Sequence, residues 1–286
     1  MNGTRKPTRS TRAFEVAVCQ LDSGPDTDEN RATMLEYVEA AAADGADLVA
    51  FPEMATYVGD EDRLPAVAEP IPGETTAAIA RAAAEHDIHV HAGSMFEESD
   101  GDRVYNTSVV FDDRGEILAR YRKIHLFDVD VEDGVTYQES NRVAPGERIE
   151  TVDTPFATLG LSICYDLRFN DLYDELANAG ADVVFVPAAF TLFTGKDHWL
   201  PLLRARAIEN QVYVVAPNQI GDKSESVPMY GKSVVIDPWG NVISRASDRS
   251  EMITATIDPD YVDTVREELP CREHSRPDVY GDGTGR

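Results

Sequence analysis

Lysine is nearly missing from this 286-residue chain: Lys6, Lys123, Lys196, Lys223 and Lys232 stand against 21 arginines. Basic charge as a whole is scarce, with 26 Lys and Arg facing 52 Asp and Glu for a formal charge of −26. Without a basic footprint the chain offers nothing to the phosphates of a nucleic acid or to an anionic membrane surface. Cysteine is equally sparse. The three residues Cys19, Cys164 and Cys271 cannot close a disulfide framework, which excludes a small secreted scaffold. No uninterrupted apolar run approaches a membrane span, and the basic, polar start Met1 to Arg12 has no apolar segment behind it, so no secretory signal is read there. The expectation is a cytoplasmic protein whose dispersed acidity reports adaptation to high salt, where carboxylates hold water and screening removes their repulsion.

What is present is a hydrophobic content of 42%, enough for a sizeable core. The pattern alternates. Strands are expected at 14–21, 47–51, 88–96, 104–112, 116–122, 182–186, 211–217, 232–237, 241–245 and 252–257, with another pair leading into Cys164. Helices are expected at 27–44, 74–86, 166–179, 197–210 and 259–268. Segment 125–147 reads as irregular and acidic, and loops of that length are usually functional or disordered. Helix–strand alternation followed by hairpins indicates layered α/β structure with mixed sheets. The chain divides into a disordered segment 1–12, one domain over 13–270 and a tail over 271–286.

Three reactive side chains share one structural address. Glu53 follows the strand Leu48-Val-Ala-Phe51, Lys123 follows Glu116 to Arg122, and Cys164 ends its own strand at the start of a helical pattern. The carboxyl ends of strands in open α/β sheets converge on one rim, where chemistry is done. A thiol at a strand-to-helix junction sits on a sharp turn, with helical N–H groups expected nearby to favour its negative charge. In a chain that favours arginine, a lysine between Arg122 and Ile124 points to a need for a compact, titratable ammonium.

These residues lie in Phe51-Pro-Glu53, Tyr121-Arg-Lys-Ile-His-Leu-Phe127 and Ile163-Cys-Tyr-Asp-Leu-Arg-Phe169, which resemble the three motifs of the nitrilase superfamily of carbon–nitrogen hydrolases. The resemblance continues through Tyr137–Ser140, Gly195–Trp199, Arg204–Tyr213, Val235–Gly240 and Arg276–Gly281, and so covers about residues 14–281. It is greatest for the omega-amidase and deaminated-glutathione-amidase branch. It implies a four-layer αββα sandwich, homodimers or higher homo-oligomers packed sandwich to sandwich, no cofactor, and a Glu–Lys–Cys triad that maps onto Glu53, Lys123 and Cys164. A second glutamate maps onto Glu139.

The chemistry expected is hydrolysis of a small linear carboxamide to carboxylate and ammonia through a thioester on Cys164, with Glu53 as general base. Lys123 and the Tyr165 backbone N–H are the oxyanion donors. Arg168, Lys196 and His198 are candidate cations for an anionic substrate, and Tyr165 and Phe190 are further candidates for binding it. The sequence departs from the usual amidase pattern at Thr194-Gly-Lys-Asp-His-Trp199, where Thr-Gly-Pro-Ala-His-Trp is common, and also at Met54–Asp60 and Asp171.

Other readings are weaker. A nitrilase or an N-carbamoyl amine hydrolase would use the same triad. A metal-dependent hydrolase could use His89 and His91, which alternate on one strand face, but no third ligand accompanies them. A Cys–His hydrolase would need His125 or His198 as base and glycines beside the nucleophile, where Ser162 and Asp166 stand. A binding module that lost the reaction has no reason to keep all three side chains.

Overall fold

The structure, a computed structural model, describes residues 12–132, 136–222 and 227–280. Two mixed sheets face each other. In the first the strand order is Glu251–Ile257, Phe14–Gln20, Leu48–Ala50, His89–His91, Tyr105–Phe111 and Met95–Glu97, with Ile117–Arg122 on the other edge of Tyr105–Phe111. In the second it is Val242–Arg245, Val234–Ile236, Tyr213–Ala216, Val183–Phe185, Thr158–Leu161 and Thr151–Asp153. Each sheet has three parallel strands at its centre. Ile117–Arg122 is antiparallel to Tyr105–Phe111, which is antiparallel to His89–His91. It therefore runs in the same direction as Leu48–Ala50, and Lys123 emerges at the same rim as Glu53.

The layers follow from which faces are apolar. Along Phe14–Gln20, Phe14, Val16 and Val18 enter one core with Leu159, Leu161 and Val183 of the second sheet. Ala17 and Cys19 enter another with Met34, Val38, Ile79 and Ala83. A strand buried on both faces reads as continuous apolar sequence. The helices Thr27–Ala43 and Glu74–Glu85 cover the first sheet, and Asn170–Asn178 and Leu192–Asn210 pack on the second. This is the expected αββα sandwich. Asp26 caps the first helix by accepting from Asp28 N and Glu29 N.

Four sequence expectations change. The strand expected at 88–96 is two, because Gly93 turns with φ +66° and a Cβ there would lie 2.0 Å from Pro52 O. Segment 125–147 holds a short hairpin, Asp128–Asp130 with Thr136–Gln138, whose three-residue strands are too short to show a period. The helix expected from 197 begins at Leu192, with Gly195 pressed against the Tyr230 ring. The helix expected from Asp166 is a five-residue 3-10 turn, Cys164–Arg168, before the α-helix starts at Asn170. Of the segment 1–12 only Arg12 lies within the described residues, and it pairs with Asp47. Among the described residues no helix is long and apolar enough to cross a membrane.

Candidate active site

Glu53 leaves the end of Leu48–Ala50 on a turn seated against the kink at Gly93. Phe51 N donates to His91 O (3.0 Å), Ser94 N to Pro52 O (3.2 Å) and Ala55 N to Ser94 O (3.0 Å). Met54, with φ +54°, completes the turn. Cys164 occupies a second strained position, φ +48°, and its N–H donates to Pro187 O at 2.9 Å. A non-glycine residue in that region costs of order 1 kcal/mol or more and persists where its surroundings fix it. Here the surroundings are Asp166. Its fully buried carboxylate accepts from Ile163 N (2.8 Å), the Tyr121 hydroxyl (2.7 Å), His125 N (3.0 Å) and His125 Nδ1 (2.7 Å). Tyr121 and His125 flank Lys123, whereas Ile163 and Asp166 flank Cys164. One carboxylate thus joins the ammonium-bearing segment to the thiol-bearing turn. From the other side Arg206 donates twice to Leu167 O, at 3.0 and 2.9 Å.

The structure brings Glu53, Lys123, Glu139 and Cys164 to the wall of one cavity of about 450 Å³. Lys123 Nζ lies 2.9 Å from Glu53 Oε1 and 3.1 and 2.9 Å from the two Glu139 oxygens. Glu53 Oε1 also accepts from Asn106 Nδ2 (2.9 Å), Glu53 Oε2 from Ala189 N (2.8 Å), and Glu139 Oε2 from Phe127 N (2.7 Å). All four side chains are almost wholly buried, so charges here act through little water. Burial alone would lower the Lys123 pKa, but the Glu139 and Glu53 carboxylates outweigh it and hold the ammonium well above its ordinary range. Burial and the Glu53 charge raise Glu139 against the opposing pull of Lys123.

The Cys164 thiol is pushed well above its ordinary range, by burial first and then by the charge of the Glu53 carboxylate, against the opposing charge of Lys123. This corrects the expectation of a thiol held negative by helical N–H groups. A neutral thiol beside a carboxylate is poised to give up its proton during attack, not before it.

The remaining candidates separate. Tyr165 and Phe190 line the cavity. Arg168 does not; its guanidinium lies over the Tyr165 and Phe190 rings (5.8 and 5.5 Å) and reaches His198 Nδ1 at 3.4 Å. Lys196 and His198 are exposed and absent from the described lining. The early helix start explains this: read as a loop, Gly195–Trp199 could turn inward, whereas in a helix beginning at Leu192 both side chains ride its outer face.

His125 is engaged with Asp166 and stacked on Phe169 (3.7 Å between centroids). His91 accepts from Gly93 N at Nδ1, meets Ser108 Oγ at Nε2 (3.2 Å) and stacks on Phe185; burial lowers its pKa to about 3. Both of its ring nitrogens are taken up by protein.

Sequence reasoning missed Asn106 and the tying role of Asp166. It also missed Glu61, which lines the cavity together with Tyr137. The signal for Asn106 was present as a polar Asn-Thr-Ser opening an otherwise apolar strand. Those for Asp166 and Glu61 arise only from tertiary contacts.

Comparison with known proteins shows the family. The carbon–nitrogen hydrolase family model matches residues 15–267. The chain is 38% identical over 267 residues to Xenopus laevis omega-amidase NIT2-A, covering 93% of this chain and 96% of that protein. It is 40% identical over 267 residues to the deaminated glutathione amidase of a Synechocystis species, covering 92% and 98%. The crystal structure of the C. elegans NitFhit protein superposes with a TM-score of 0.89 at 38% identity, over 94% of this chain and 66% of that one. Saccharomyces cerevisiae Nit3, a member of branch 10 of the nitrilase superfamily, superposes with a TM-score of 0.83 at 31% identity, over 93% and 97%. Strand-end motifs, two facing sheets and matches across nearly the whole length lead to one conclusion: the chain belongs to the carbon–nitrogen hydrolase family of the nitrilase superfamily.

Proposed function

We propose that this protein is a cysteine-dependent amidase that hydrolyses a small linear carboxamide to carboxylate and ammonia, with Glu53, Lys123 and Cys164 as its catalytic residues and Glu139 holding Lys123. The observation that carries this reading is the meeting of a thiol, a carboxylate and a buried ammonium at one cavity wall. Cys164 Sγ attacks the amide carbon as its proton passes to Glu53. The carbonyl oxygen becomes an oxyanion, faced by the Lys123 ammonium and the Tyr165 N–H. Collapse breaks the C–N bond, and Glu53 returns its proton to the departing nitrogen, releasing ammonia and leaving a thioester. Glu53 then takes a proton from water, whose oxygen attacks the thioester; the acid departs and the proton returns to sulfur.

The relatives' names, omega-amidase and deaminated glutathione amidase, make amides at the end of a short acid chain the first substrates to try. For such an anion Arg168, packed on two lining rings, is the candidate cation. We also propose a cytoplasmic, salt-adapted enzyme that self-associates through Leu192, Ile208, Trp239 and Ile243, which are large apolar side chains left exposed on the helix Leu192–Asn210 and the neighbouring hairpin.

The test is ammonia release from a panel of small amides, N-carbamoyl amines and nitriles in concentrated salt. Turnover of amides, and its complete loss in C164A, is expected. Turnover retained by C164A removes the mechanism, and turnover of nitriles alone removes the amidase assignment.

A further inference from the structure

Asn106 is a buried side chain that the steps above leave unused. It lies in the strand Tyr105–Phe111 at 1% exposure. Its Nδ2 donates to Glu53 Oε1 at 2.9 Å, and its backbone carbonyl accepts from Lys123 N at 2.9 Å. A single residue therefore holds the carboxylate with its side chain and the ammonium-bearing segment with its main chain. Its other side-chain atom, Oδ1, is buried without a protein partner. A carboxylate only accepts hydrogen bonds, so the amide must present its nitrogen to Glu53, and the oxygen is left to its buried surroundings. A buried acceptor without a partner is destabilising, and an apolar side chain of similar shape would avoid that penalty. What the amide supplies in return is the contact with Glu53.

The two oxygens of Glu53 are treated differently. Oε1 faces two donors, Asn106 Nδ2 and Lys123 Nζ. Oε2 accepts from Ala189 N. An oxygen crowded by N–H donors is a poor place for a proton, so a proton arriving from sulfur is directed to Oε2.

We infer that Asn106 is a positioning residue for the general base: together with Lys123 it occupies Oε1 and reserves Oε2 for the proton exchanged with Cys164 and the leaving nitrogen. This rests on the amidase reading for its chemistry. Removing the donor weakens the ionised form of Glu53, and activity requires that form, so the acid limb of the rate profile moves to higher pH. Hydrogen bonds to charged groups are strong enough to move such a limb by about one pH unit and to lower kcat about tenfold to a hundredfold, with KM little changed because Asn106 does not line the cavity.

The experiment compares wild type, N106L and N106D by ammonia release against pH and, independently of any substrate, by the pH dependence of Cys164 alkylation with iodoacetamide. N106L removes the donor. N106D keeps the shape but places a second carboxyl beside Glu53, so its limb should move at least as far as that of N106L. A packing role predicts the reverse, with the isosteric N106D close to wild type. The inference is overturned if both variants keep the wild-type limb in both assays, whatever their absolute rates, or if N106D alone returns to it. Should N106L fail to fold, N106D decides the matter. Failure of the amidase reading would look different: no amide would be turned over by wild type, while the alkylation profiles would still report on Asn106.

Discussion

Replacing Lys123 with methionine removes a buried cation and leaves two buried carboxylates facing each other. In the wild type one ammonium stands between Glu53 and Glu139, with contacts of 2.9 Å on each side and side-chain exposures of 3, 4 and 7% for Lys123, Glu53 and Glu139. Breaking a buried pair by deleting one partner costs about 3–5 kcal/mol, because the surviving charge is left without compensation. At roughly 2–4 °C per kcal/mol for a chain of this size, the melting temperature of K123M should fall by about 6–20 °C. The loss should depend on pH. Lys123 is held above its ordinary value of 10.5, so its contribution is complete across neutral and acid pH and is lost only in strong alkali. Glu139 already binds its proton more readily folded than unfolded, and loses the opposing pull of Lys123 in K123M. Folding is therefore favoured as pH falls towards the ordinary carboxylate value of 4.5, and the gap to wild type narrows. Adding E139Q removes one of the two orphaned charges, so K123M/E139Q should be more stable than K123M alone at neutral pH. Thermal unfolding of the four proteins at pH 5 and pH 8 forms a double-mutant cycle that measures the coupling. A K123M protein as stable as wild type, a gap that widens on acidification, or an E139Q addition that recovers nothing would refute the electrostatic account of this site.

E139Q by itself should remain folded and lose less stability than wild type as pH rises past 4.5, because burial already favours the protonated form of Glu139; unfolding midpoints across pH 4–8 test this. D166N should lower kcat far more than KM and destabilise by about 2–4 kcal/mol, since an amide cannot accept from Ile163 N, His125 N, His125 Nδ1 and the Tyr121 hydroxyl together; unchanged kcat would separate the Asp166 network from the reaction. Raising KCl from about 0.1 to about 1 M shortens the Debye length from about 10 to about 3 Å. With a formal charge of −26, the melting temperature should rise over that range, and a flat or falling curve would end the salt-adaptation reading.

The parts of this site that were legible in sequence share a physical cause. Glu53, Lys123 and Cys164 stand at the ends of apolar strands, and strand direction brings such ends to one rim without any detailed knowledge of packing. Glu139 was legible only through the family resemblance, because its neighbourhood folds from three-residue strands whose pattern is too short to read. Lys196 and His198 were placed by a helix boundary set five residues late. In the true first turn Gly195 meets Tyr230, a contact between segments 35 residues apart that no local propensity encodes. The state of the thiol was misjudged for a related reason. Proximity to a helix start is a local property, but what pushes the thiol pKa up is burial and then the charge of Glu53, which arrives from the opposite sheet. The same distinction applies to Asp166 and Asn106. Each looks ordinary in its own segment and acquires its role by bonding two others, Asp166 the Lys123 and Cys164 segments, Asn106 the Glu53 and Lys123 segments. Reactive side chains gathered at strand ends can thus be found from strand topology, whereas residues that hold them in register come into view only when both partners are in place.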